Sequence, residues 1–207
     1  MNQKNSLGLN NCFLDLDDPI ELFKKWMSEA EKTEINDPNA LSIATTNKNN
    51  EPTVRMVLLK GLSKNGFVFY TNFNSPKSLD LKENPKAAMC FHWKSLQRQI
   101  RISGSIIQVE DKEADNYFNS RPYESRIGAW ASDQSKIMKN REEFLKKIDE
   151  FKNKYKDEKI LPRPKYWSGW CLNPTSIEFW LGDQYRIHER LKYNKVLNNW
   201  KKEILYP

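Results

Sequence analysis

The sequence predicts an α+β fold built on an antiparallel β-barrel, and three observations carry that prediction. The hydrophobic period switches from helical to two after Asp37-Pro38, the mark of strands whose alternate residues face a core. Five such runs fall between residues 41 and 109, mostly joined by short polar turns, as in antiparallel neighbours that close on themselves. Two or three helices then follow the strands, which makes the class α+β. The chain has 207 residues, 38% of them hydrophobic, with 7 Trp, 8 Tyr and 10 Phe. That is one domain's length and ample material for a buried core.

The elements follow in order. Asp18 is placed to cap a helix, Pro19 suits its first position and Glu21 completes a capping box, with Ile20, Phe23, Met27 and Ala30 as the buried stripe. Strands are expected at Leu41 to Thr45, Thr53 to Lys60, Gly66 to Thr71, Lys86 to Trp93 and Arg98 to Val109, with turns at Asn49-Asn50 and Asn65-Gly66. A short helix, Ser75 to Lys82, interrupts them and stops before Asn84-Pro85. Helices follow at Asp111 to Asn119, Ser125 to Trp130 and Arg141 to Lys156. After the rigid Leu161-Pro162-Arg163-Pro164, strands resume at Trp170 to Leu172, Ser176 to Leu181, Tyr185 to Tyr193 and Trp200 to Leu205.

Composition excludes several classes. The longest unbroken apolar run, Ala87 to Phe91, is far short of the ~20 residues that a spanning helix needs. Met1 to Leu16 lacks the apolar stretch of a signal peptide, so the expected compartment is the cytosol. Cys12, Cys90 and Cys171 are distant in sequence, and His92 and His188 are the only histidines. A disulfide framework and a metal site therefore lack support. No Gly-x-Gly-x-x-Gly or Gly-x-x-x-x-Gly-Lys occurs, which removes the main marks of a Rossmann site and a P-loop. The net charge of +7 implies anionic partners without choosing among them.

Three segments carry candidate chemistry. Arg186-Ile187-His188-Glu189-Arg190, read as a strand, sets two guanidiniums and an imidazole on one face, which calls for an anion or for solvent. Trp180, just before it, is able to wall a planar ligand. Ser75-Pro76-Lys77 opens a helix whose free amides and lysine resemble a phosphate seat, though an ordinary capped helix with a surface lysine gives the same pattern. Arg55 and Lys60, five apart, flank apolar Met56-Val57-Leu58-Leu59 and fall on opposite faces of a regular strand.

Together these stretches resemble the pyridoxamine 5'-phosphate oxidase family of FMN-dependent split-barrel enzymes. The resemblance rests on Arg55 to Lys60, Phe69-Tyr70-Thr71-Asn72, Asn119-Ser120-Arg121-Pro122, Ile127-Gly128-Ala129-Trp130, Gln134-Ser135, Glu178-Phe179-Trp180 and Arg186 to Arg190, in family order. It implies a variable segment 1–17 ahead of a single FMN-binding split barrel, 18–207. It implies FMN contacts from Arg55, Met56, Val57, Leu58, Tyr70, Thr71, Lys77, Gln99, Gln134, Ser135, Trp180 and Arg190. Lys60, Tyr117, Arg121 and Ser125 are implied to hold the substrate phosphate, with Arg186 and His188 over the pyridine ring. The family's Ser-Arg-Lys stands here as Ser75-Pro76-Lys77, one cation fewer. The implied activity is oxidation of pyridoxamine or pyridoxine 5'-phosphate to pyridoxal 5'-phosphate by a homodimer, with O2 reduced to hydrogen peroxide and no nucleic acid or membrane partner. The competing readings are a split-barrel flavin protein with another substrate and a small basic nucleic-acid-binding barrel.

Overall fold

The computed structural model describes residues 4–63 and 65–207. In chain order its elements are α1 (Pro19–Thr33), β1 (Ala40–Thr46), β2 (Pro52–Leu58), β3 (Gly61–Ser63), β4 (Gly66–Asn72), α2 (Pro76–Glu83), β5 (Lys86–Trp93), β6 (Arg98–Gln108), α3 (Asp111–Ser120), α4 (Tyr123–Ala131), α5 (Arg141–Lys154), β7 (Trp167–Leu181), β8 (Glu189–Val196) and β9 (Asn199–Leu205). The ladders between these strands are all antiparallel. Strand order is β2-β1-β5-β6-β7-β4-β3, with β8 and then β9 attached to β7.

One long strand organises this split barrel. The first half of β7 lies between β6 and β4, and its second half lies between β6 and β8. The sequence reading broke this strand into Trp170 to Leu172 and Ser176 to Leu181 because Asn173-Pro174 looks like a turn. Instead, the β6–β7 register shifts at Ser103/Gly104 and the strand continues. Gly104 is needed at that bulge, since a Cβ there would stand 2.0 Å from the Asn173 carbonyl oxygen.

Helix α1 packs its apolar side into the barrel. Asp18 caps it by accepting from the Ile20 N–H at 2.8 Å. The capping box does not form, because Glu21 pairs with Lys24 on the surface instead. The buried face is Leu22, Phe23, Trp26 and Ala30, with Ile20 and Met27 at its edges. Phe23 meets Phe67 and Phe91 edge-on at 4.9 and 5.3 Å, and Trp26 meets Phe13 and Phe179 at 5.4 and 5.1 Å. Each such side chain contributes about 1.5–3 kcal/mol on burial. Leu9 and Phe13, ahead of α1, are buried in this same core.

A second core, Phe118, Ile127, Leu161 and Trp167, fills the space between α3, α4 and the start of β7. Helix α5 adds Ile148, Phe151 and Tyr155 to its margin. The last sequence-predicted strand but one begins late. Tyr185 to His188 form a loop, and β8 starts at Glu189. The expected side-by-side strand face of Arg186, His188 and Arg190 is therefore replaced by a turn with Arg186 at φ +63. Likewise β2 ends at Leu58, so Lys60 leaves the strand that carries Arg55 and the opposite-face expectation does not apply.

Candidate active site

Where the second core meets the barrel, a cavity of about 510 Å³ opens. Strand β2 and the residues after it supply Met56, Val57, Leu58 and Lys60 to its wall, and β4 supplies Tyr70 and Thr71. Lys77 enters from the first turn of α2. Tyr117, Arg121 and Ser125 come from the α3–α4 layer, and Gln134 from the loop after α4. Asn72, Gly128, Ala129, Ser132, Phe144 and Trp167 also line it. The sequence reading gave none of these six a site role, although Asn72, Gly128 and Ala129 fall within its motifs, because their place in the cavity is set by packing across distant elements.

Lys77 is buried, and its ammonium donates to Thr71 Oγ1 at 2.9 Å, Ser75 Oγ at 3.1 Å and Gln134 Oε1 at 3.1 Å. All three acceptors are neutral. Burial, and then the charge of nearby Arg55, push its pKa down to about 8. Arg55 spends its own donors on Thr45, Thr53 and the Ile43 carbonyl. Ser75 caps α2 with no side-chain bond and donates to the Asn72 carbonyl at 2.7 Å. Neither Lys77 nor Arg55 has a carboxylate ion-pair partner among the described residues.

Arg121 presents the same imbalance. Its guanidinium lies 4.8 Å over the Trp167 ring, and its buried Nη1 has no hydrogen-bond partner. Burial lowers its pKa, only partly offset by the neighbouring Tyr117 phenol, and no carboxylate pairs with it among the described residues. Tyr70 and Tyr117 stack at 4.0 Å, and Trp167 lies parallel to both. Gly169 makes room for that stack, as a Cβ on it would meet the Tyr70 ring at 2.7 Å. Burial raises the phenol pKa of Tyr70 and Tyr117, so both stay neutral hydrogen-bonding groups.

The remaining sequence-predicted residues lie elsewhere. Arg55 stands just behind the cavity wall, and Ser135, at φ +69, lines a neighbouring cavity with Ser132 and Phe144. Gln99, Trp180 and Arg190 form one row across β6, β7 and β8. Glu178, buried in the next row, binds Arg190 Nε at 2.9 Å and also pairs with Arg101. Burial pushes the Glu178 pKa up, but the two arginines outweigh that and hold it below the usual carboxylate value. His188 packs on Trp180 at 4.6 Å, and Arg186 is exposed on the loop. This second group lines no part of the first cavity.

Comparison with known proteins assigns the chain and its fold to one family. The pyridoxamine 5'-phosphate oxidase profile matches residues 27–155, and the profile of the pyridoxine 5'-phosphate oxidase C-terminal dimerisation region matches 167–207. The chain belongs to the pyridoxamine 5'-phosphate oxidase family. A curated pyridoxine/pyridoxamine 5'-phosphate oxidase from Pelagibacter ubique is 63% identical over the whole length of both chains. Among solved structures, PhzG from Burkholderia lata, in complex with tetrahydrophenazine-1-carboxylic acid, superposes with a TM-score of 0.88 at 29% identity, over 95% of this chain and 96% of that one. A pyridoxamine 5'-phosphate oxidase-related, FMN-binding protein from Nostoc punctiforme shares the fold at a TM-score of 0.72 and 15% identity, over 92% and 98%. Trp180, Arg186, His188 and Arg190 all fall in the C-terminal segment that the family profile describes as a dimerisation region. No helix among the described residues is long and apolar enough to cross a membrane.

Proposed function

We propose that the cavity holds FMN beside the phosphate of pyridoxamine or pyridoxine 5'-phosphate, and that the chain oxidises that substrate to pyridoxal 5'-phosphate with O2 reduced to hydrogen peroxide. The observation that carries this reading is the pair of cations, Lys77 and Arg121, sunk in one cavity with no carboxylate to neutralise either. Two uncompensated buried cations in one pocket suit a ligand pair bringing two phosphates. FMN, when bound, would supply the two-electron acceptor for oxidation at the substrate's 4'-carbon with O2 as the final acceptor, water replacing the nitrogen as ammonia when the substrate is the amine.

The chain's own task is to bind, orient and neutralise. Lys77, Thr71 and Gln134 hold the flavin phosphate, with Arg55 adding positive charge and Met56 to Leu58 and Tyr70 contacting the cofactor. Lys60, Tyr117, Arg121 and Ser125 hold the substrate phosphate. The Tyr70–Tyr117–Trp167 stack keeps that end rigid and excludes water, so orientation costs less entropy on binding. Gln99, Trp180, Arg186, His188 and Arg190 serve the cavity of the other copy in a homodimer, as does Ser135 at the cavity margin. This accounts for a second group that stands apart within one chain and lies mostly in the family's dimerisation region. Cys12, Cys90 and Cys171 are free thiols, which suits a reducing cytosolic location. An open nucleic-acid groove is disfavoured because Lys77 is buried and half-buried Arg121 lies over the Trp167 ring.

The test is the purified protein itself. It should carry a flavin absorption spectrum that is bleached by pyridoxamine 5'-phosphate without oxygen and restored, with peroxide released, on aeration. A protein that stays colourless after incubation with FMN sinks the reading.

A further inference from the structure

The loop between β7 and β8 contains a small hydrogen-bonded device built on Asp183, a residue given no role so far. Gly182 N–H donates to the Gln97 carbonyl at 2.7 Å, tying the loop to the sheet. Asp183 then folds the chain over itself. Its Oδ1 accepts the Tyr185 N–H at 2.8 Å, and its carbonyl accepts the Arg186 N–H at 3.1 Å. With Arg186 at φ +63 the chain turns back, and the Asp183 N–H donates to Nδ1 of His188 at 3.1 Å. A backbone amide only donates, so Nδ1 must accept, and the heavy atoms alone fix the tautomer. The neutral ring then carries its proton on Nε2. Trp180, 4.6 Å away, fixes the plane of the ring.

We propose that Asp183 is a positioning residue for His188: its turn aims a backbone N–H at Nδ1, so that His188 meets the substrate ring as an Nε2–H donor and not as a proton acceptor. The proposal rests on the reading that His188 faces the substrate. The neutral ring has no free lone pair at either nitrogen, so the proton that the substrate's amine or alcohol group must lose goes to solvent or another group. Nε2–H instead stabilises negative charge on a substrate acceptor atom. Within the single chain the Asp183 side chain is exposed and bonds the Tyr185 N–H, and it is the Asp183 backbone N–H that reaches the His188 ring.

The chain contains two histidines, which makes the experiment tractable. The FMN-loaded protein, labelled with 15N-histidine, is examined by two-bond 15N–1H couplings at a pH where the rings are neutral, with His188→Gln assigning the signals. The wild type should show the Nε2–H pattern for His188. Asp183→Asn, which keeps the turn acceptor, should retain it. Asp183→Ala should shift His188 toward a mixture of tautomers and lower the limiting flavin-reduction rate about three- to tenfold, with the Michaelis constant little changed. An Nδ1–H ring in the wild type, or a tautomer indifferent to Asp183→Ala, overturns the proposal. If the tautomer shifts as expected while His188→Ala leaves the reduction rate intact, the turn-to-ring coupling stands and the substrate contact of His188 is the part refuted.

Discussion

Lys77 should make cofactor binding take up a proton, in an amount that depends on pH in a calculable way. In the ligand-free cavity its pKa is pushed down to about 8 from an ordinary 10.5, first by burial and then by Arg55. A phosphate dianion on the ammonium would restore it toward 10.5. The free lysine is about 90% protonated at pH 7, half at pH 8 and about 10% at pH 9, and the bound one is almost fully protonated throughout. FMN binding should therefore take up about 0.1, 0.5 and 0.9 protons per chain at those three pH values, beyond any change in the phosphate itself, whose second pKa is about 6. Affinity should weaken about fivefold between pH 8 and pH 9 for the same reason. Calorimetric titration of the apoprotein in buffers of different ionisation enthalpy measures the uptake directly. Lys77→Arg should abolish its pH dependence while keeping a cation. Uptake that is flat with pH, or equal in wild type and Lys77→Arg, refutes the assignment of Lys77 to the flavin phosphate. The sign for stability agrees: the unfolded chain holds this proton more tightly, so the apoprotein should gain stability as pH rises from about 8 to 10.5.

Arg121→Ala should leave FMN bound but raise the Michaelis constant about ten- to a hundredfold, the loss of a charge-assisted contact of ~1.5–3 kcal/mol, as steady-state kinetics will show. Mixing Lys77→Met and Arg190→Ala chains should yield about a quarter of wild-type FMN sites, because half of a statistical mixture is mixed dimers with one intact site each; no recovery in a flavin titration would mean that the second group does not serve the other copy. Glu178→Ala removes the buried partner of Arg190 and Arg101 and should cost about 3 kcal/mol in urea unfolding. Gly66→Ala would place a Cβ 2.0 Å from the Leu172 carbonyl oxygen at φ +134; a melting temperature lowered by at least about 6 °C is expected, and an unchanged one would contradict the tight β4–β7 approach.

Most elements were legible because their signals are local. Asp18-Pro19 marks the start of α1, and the period-two runs mark β1, β5 and β6, with boundaries close to those observed. The errors lie where distant contacts override local pattern. Pro174 reads as a turn, yet pairing on both sides carries β7 through it. Arg186 to Arg190 alternates like a strand, yet the Asp183 turn takes Arg186 and His188 out of the ladder. In the site, Lys77 could be picked from sequence as a cation at the start of a Pro-opened helix, whereas Arg121 was reached only through the family resemblance. Trp167 and Gly128 could not, since their place in the cavity depends on how α4 sits on β7. Nor does any local pattern tell that Gln99, Trp180 and Arg190 stand apart from the residues with which they were grouped.

The cavity wall is drawn from two kinds of scaffold with different tolerance for change. Tyr70 and Thr71 sit on β4, whose Phe67 and Phe69 fill the barrel core, and Met56 to Leu58 sit on β2, paired along its length with the core strand β1, so an altered register there would disturb the core itself. Tyr117, Arg121 and Ser125 sit on or between two short helices that rest on a smaller, separate core. On the proposed roles, evolution can therefore rework the helical layer residue by residue while the strand layer keeps the cofactor seat. That proposal makes the cavity modular, a fixed redox half facing an exchangeable recognition half, and new substrate preferences should arise by substitutions in α3 and α4 before any in β2 or β4.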